Sequence, residues 1–114
     1  MKFKDRLEGD IVIFDLSGKI ISYSDDMTMF HGRIREYANL NKNNVVIDLA
    51  KIEMVGSVGL GMLISALSTV NKAGGRLVLA NITRIQNLIA MTRLNTVFQS
   101  YDSVEEAMNS FNKS

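Results

Sequence analysis

The chain has no cysteine, no proline and no tryptophan, and it has one histidine among its 114 residues. Without cysteine there can be no disulfide, no thiolate nucleophile and no cysteine-based zinc site. His31 alone cannot build a multi-histidine metal cluster. No metal or cofactor is therefore expected. Long apolar runs are missing too: none approaches the ~18 residues needed to span a bilayer. No apolar run follows a basic start, so no signal peptide is expected and the cytoplasm is the expected location. An excess of one charge sign is also lacking. Thirteen basic residues face twelve acidic ones, for a formal net charge of +1, which offers nucleic acid no basic field. The largest basic concentration, Lys2, Lys4 and Arg6, reads as one solvated strand face.

What is present suits an ordinary globular fold. Hydrophobic residues make up 46% and charged residues 22%. The length allows one domain, expected to run over residues 1–114.

Ile11-Val12-Ile13-Phe14-Asp15-Leu16 is strongly strand-like, and Glu8-Gly9-Asp10 before it reads as a tight turn. With Lys2 to Leu7 this predicts a hairpin, broken after Leu16 by Ser17-Gly18. Ser22 and Ser24 are candidate N-caps for a helix carrying Met27, Phe30, Ile34, Tyr37 and Ala38 and ending near Leu40. Val45 to Leu49 and Arg76 to Ala80 are short, nearly continuous apolar runs, as expected of strands buried on both faces. Between them Leu60, Leu63, Ile64, Leu67 and Val70 trace a helical stripe that Gly74-Gly75 ends. Thr83 is a candidate cap for a helix with Ile85, Leu88 and Ile89. Thr96 to Ser100 reads as a last strand, and Ser103-Val104-Glu105-Glu106 as the capping box of a final helix. Strands and helices alternate after the hairpin. This predicts an α/β fold with a mixed, mostly parallel sheet of four or five strands and about four helices.

Chemistry centres on the turn before the second helix. A Ser-His-acid triad would need Ser57 and His31, but the nucleophile-elbow pattern asks for Gly where Val55 stands. His31 reads instead as an exposed or half-buried helix residue. Gly56, Gly59 and Gly61 match neither a phosphate loop nor dinucleotide spacing. Gly59 and Gly61 read as small residues that let the helix approach the sheet or a partner closely. Ser57 has two readings. It is an N-cap, or it is a phosphorylation site, where a helix N-terminus would tolerate about −1.5 to −2 charges of added phosphate.

The segment from Val45 to Ala107 resembles the STAS domain, in its anti-sigma factor antagonist branch. The resemblance is carried by Val45-Val46-Ile47-Asp48-Leu49, Ser57-Val58-Gly59-Leu60-Gly61, Gly74 to Asn81, Leu94 to Phe98 and Tyr101 to Ala107, with Leu16 to Ile20 upstream. It implies a sheet of four or five strands with helices on one side. It also implies a non-enzymatic bacterial partner-switching protein. Such antagonists bind an anti-sigma factor that is a serine kinase, are released by phosphorylation of the serine matching Ser57, and are restored by a phosphatase. Gly56, Val58 and Gly59 would shape the loop, and Met54, Val58 and Met62 are candidate apolar contacts, Met62 being equally readable as core. Three positions depart from the family pattern. Gly56 stands for the usual Asp, Val58 for a small residue, and Ile20-Ile21 occur where Asp is common. The alternative implied is a STAS module that is not phosphorylated, a scaffold of a signalling complex or a subunit of a membrane transport system.

Overall fold

Gly9 has φ +61°, a left-handed conformation that lets the two-residue turn Gly9-Asp10 reverse the chain. It joins β1 (Lys2–Glu8) to β2 (Ile11–Ile20) in an antiparallel hairpin, with Glu8 opposite Ile11 and Lys2 opposite Ser17. The computed structural model describes residues 1–112; Lys113 and Ser114, the last two residues of the expected domain, lie outside the described residues. Then come α1 (Asp25–Asn39), β3 (Asn44–Val55), α2 (Ser57–Lys72), β4 (Arg76–Ala80), α3 (Gln86–Met91), β5 (Gln99–Tyr101) and α4 (Val104–Asn109). Short 3-10 turns at Thr83–Ile85 and Leu94–Thr96 flank α3. The sheet order is β1-β2-β3-β4-β5, with every pair after the hairpin parallel.

Period-two alternation divides the core between two faces. Val12, Phe14, Val45, Ile47 and Leu79 meet Phe30, Leu63 and Ile89 of the helices α1, α2 and α3. Ile11, Ile13, Val46, Val78 and Ala80 point the other way and meet Ala107 of α4. Helices therefore lie on both faces, not on one side as the family resemblance implied: Ala107 needs an apolar floor, and the alternate residues of β2, β3 and β4 supply it. On the larger face Phe14 and Phe30 stack edge to face at 5.0 Å, a geometry that adds about 0.5–1.5 kcal/mol to the area buried.

The helix ends follow their signals. Ser24 caps α1, its Oγ accepting from Met27 N at 3.3 Å. Ser103 caps α4, its Oγ accepting from Glu106 N at 3.0 Å, while Glu106 reaches back to Asp102 N. Gly74 (φ +81°) and Gly75 close α2, with Gly75 N donating to Val70 O and Gly74 N to Asn71 O.

Four boundaries differ from expectation, the first being β3, which runs past Leu49 to Val55. Ser17-Gly18 does not end β2: Gly18 takes φ +91° at a register irregularity, and the strand continues to Ile20. Thr83 caps nothing; it opens a 3-10 turn instead. The last strand starts only at Gln99, because Leu94–Thr96 is wound into a 3-10 turn that buries Phe98.

Candidate functional site

The extra length of β2 places the site. Ile20 O, at the strand end, accepts from Gly56 N at 2.9 Å and so ties the start of α2 to the end of β2. Gly56, not Ser57, is the N-cap residue, with φ −97° and ψ −172°, and its carbonyl accepts the first helical bond from Leu60 N at 3.0 Å. Ser57 is the first helical residue. It is exposed, and among the described residues its hydroxyl makes no hydrogen bond. The capping reading of Ser57 is thereby corrected: residue N1 lies beyond the position from which a side chain folds back onto the helix N–H groups.

The glycines do different things. A Cβ on Gly59 would lie 2.6 Å from Ile20 O and 2.7 Å from the Val55 side chain, so Gly59 is where α2 rests on the strand ends. Gly61 has open space where a Cβ would stand, so it makes no close approach to the sheet, and it faces the groove beside Ser57. At Gly56 a Cβ would make only ordinary contacts, the nearest with Ile21 at 3.7 Å. Space at the Cβ therefore does not account for the glycine.

Beside Ser57 a groove of about 380 Å³ runs between the starts of α1 and α2. Tyr23, Met27, Thr28 and His31 form one wall, and Ser57, Val58 and Gly61 the other. Ser57 and His31 thus share a groove, yet among the described residues no hydrogen bond joins them and Nδ1 of His31, buried, has no partner. Burial, helped by nearby Arg35, pulls the His31 pKa below its ordinary value and keeps the ring neutral at neutral pH. The first turn of α2 carries no acidic residue, so no side-chain charge offsets its positive dipole end.

Of the residues read from the sequence, Met54 is 52% exposed next to the turn, and Val58 is half-buried against the core. Met62 is only 3% exposed. Its alternative reading as core is the one that holds, because it points from α2 towards the sheet and so offers a partner almost no surface. Sequence reasoning missed two neighbours, Ile21 (51% exposed) and Tyr23 (85% exposed). Tyr23 lines the groove with Ser57, and Ile21 lies against the Gly56 position, so the two set apolar surface beside an exposed hydroxyl. The cue was two large apolar residues in a polar connection, Ile20-Ile21-Ser22-Tyr23, only one of which the core takes.

The sequence profile of the STAS domain matches residues 3–107. The chain belongs to the STAS domain family. A Thermotoga neapolitana protein, provisionally named an anti-sigma factor antagonist, is 27% identical over 74 residues, 64% of this chain and 66% of that protein. The chain thus spans slightly less than two thirds of that relative's length. A Thermotoga maritima protein provisionally described in the same way has the same fold, with a TM-score of 0.84 at 20% identity over 97% of this chain and 95% of the other. The anti-sigma factor antagonist SpoIIAA in its unphosphorylated form superposes with a TM-score of 0.76 at 15% identity, over 98% and 99% of the two chains. The phosphorylated form of SpoIIAA, from Bacillus, gives 0.73 at 14% identity, over 96% and 98%.

Proposed function

We propose that this STAS domain is a bacterial, cytoplasmic anti-sigma factor antagonist. Its Ser57 turn docks on an anti-sigma factor that is a serine kinase, and phosphorylation of Ser57 ends the complex. The observation that carries this reading is the exposed hydroxyl of Ser57, without a hydrogen bond among the described residues, at the first position of α2 and beside the exposed apolar side chains of Ile21 and Tyr23. Apolar surface beside a small polar centre is the composition of a protein-binding patch. In the transfer, Ser57 Oγ forms a bond to the γ-phosphorus of the kinase's ATP, ADP leaves, and the hydroxyl proton passes to the kinase. The product places a dianion at the positive end of a helix, which the fold tolerates. The same dianion under a docked partner brings a desolvation cost of several kcal/mol, and each ~1.4 kcal/mol is tenfold in affinity. The chain itself catalyses nothing and holds no metal or cofactor, and a phosphatase resets it.

Gly56 favours a second reading. The carboxylate usual in the family at that position is missing, which suits a STAS module that binds constitutively through these apolar side chains and is never phosphorylated. Incubation with the cognate kinase and ATP, followed by peptide mass spectrometry, separates the two. Phosphate on Ser57 supports the switch. An unmodified chain, still bound to its partner, supports the constitutive module.

A further inference from the structure

The face of the sheet opposite α1 and α2 is only half covered. α4 sits on Ile11, Ile13, Val46, Val78 and Ala80. The other half is an open hollow of about 750 Å³, lined along β1 by Lys2, Lys4 and Arg6 and along β2 and β3 by Asp15, Asp48 and Lys51. Four cations thus line the hollow beside two carboxylates, both engaged, and Glu8, the next alternate residue of β1, also pairs with Arg6 at 3.3 Å. Asp15 is bonded to Arg6, and Asp48 accepts from Ala50 N at 3.0 Å and Asn81 Nδ2 at 2.8 Å. Lys2 makes one loose pair, 3.5 Å to Asp26, with 84% of its side chain exposed. Among the described residues no carboxylate pairs with Lys4 or Lys51. A register slip brings Lys51 into this hollow: between Asp15 and Ser17 the pairing skips one residue of β3, so Lys51 stands opposite Ser17.

β1 is also an edge of the sheet, with an unpaired backbone side. Its cations recur at every second residue, roughly 7 Å apart along the strand. A strand added at this edge would set its own alternate side chains beside Lys2 and Lys4. A second β1 would bring lysine against lysine and is disfavoured. The two carboxylates in the floor and the net charge of +1 disfavour a nucleic-acid strand. We propose that this edge and the open half of the sheet take an extended acidic segment of another protein, with Asp or Glu at alternate positions. The proposal is independent of Ser57.

The test is an NMR titration of the full ¹⁵N-labelled chain with two capped heptapeptides, Thr-Glu-Val-Glu-Val-Glu-Thr and the same peptide with Lys for Glu. The Glu peptide should shift the amides of Lys2–Glu8, and its affinity should fall several-fold from about 20 to about 200 mM salt. The Lys4→Glu/Lys51→Glu chain should lose at least about tenfold in affinity for the Glu peptide and gain affinity for the Lys peptide. That gain can occur only in a folded chain, so it guards against simple unfolding. Equal response to both peptides by the unaltered chain, shifts confined to the α1–α2 groove, or tighter binding of a poly-dT oligonucleotide than of the Glu peptide would each overturn the proposal.

Discussion

The Cα of Gly59 and the carbonyl of Ile20 stand so close that an added methyl group would lie 2.6 Å from the oxygen. The helix carrying Ser57 is seated against the Ile20 carbonyl and the short, branched Val55 side chain, neither of which has a flexible end to give way. Gly59→Ala should therefore lift the start of α2 and cost about 1–3 kcal/mol, the usual range for overpacking. Gly61→Ala, with open space around it, should stabilise by about 0.5–1 kcal/mol through helix propensity. Urea denaturation of the two variants checks both signs.

Ser57 caps nothing, so under the proposed function stability and partner binding should separate at this residue. Ser57→Ala should stay within about 0.5 kcal/mol of the parent. Ser57→Asp places a negative charge in a first turn that has no acidic residue and should stabilise by about 0.3–1 kcal/mol. The same variant should bind its partner at least about tenfold more weakly. Calorimetric unfolding and binding titration, run on one preparation, give both numbers. Parallel losses in stability and binding would mean that the hydroxyl is structural.

The apolar side chains beside Ser57 make a complementary prediction. Tyr23 is 85% exposed and Ile21 51% exposed, so Tyr23→Ala and Ile21→Ser should change stability by less than about 1 kcal/mol. If both side chains contact the partner, each truncation should weaken binding by about 1–2 kcal/mol, roughly five- to thirty-fold. Binding unchanged in both variants would move the docking surface elsewhere.

Asp5 on β1 ties the hairpin to α1. It accepts from Arg33 Nη2 at 2.7 Å and from Tyr37 Oη at 2.5 Å. The Arg33 bond foremost holds its carboxyl below the usual value; partial burial opposes this and the Tyr37 bond assists. A depressed folded pKa contributes stability above the unfolded value of about 3.9, and that contribution is lost as pH falls through the folded value. Stability should thus fall with acid below about pH 4. Asp5→Asn should cost about 1 kcal/mol at pH 7, a figure kept low because Arg33 is partly exposed. Denaturation midpoints between pH 2 and 7 should show a shallower acid slope in the variant.

The element order was legible because each piece carries its own period. The apolar runs at Val45 and Arg76 read as buried strands, and Ser24, Gly74 and Ser103 mark helix ends by side-chain chemistry that acts within a few residues. What stayed hidden depends on contacts distant in sequence. Gly18 reads as a strand breaker until its neighbours on β3 show that it bulges and continues. The extra turn of strand brings Ile20 to Gly56 and Gly59, thirty-odd residues away, and turns Ile21 and Tyr23 out beside Ser57. Met62 and Met54 look alike in composition; only the direction of α2 and β3 shows that one is core and the other surface. The Asp5–Arg33–Tyr37 cluster likewise has no local signature, because β1 and α1 meet only through the fold.

What a phosphate on Ser57 does to binding decides between the switch and the constitutive module. Chain carrying phosphoserine at position 57, made by site-specific incorporation, and unmodified chain can be titrated against the same kinase-type anti-sigma factor. The switch predicts a loss of affinity of about a hundredfold or more, with far-ultraviolet circular dichroism unchanged. Equal affinity of the two forms would contradict it.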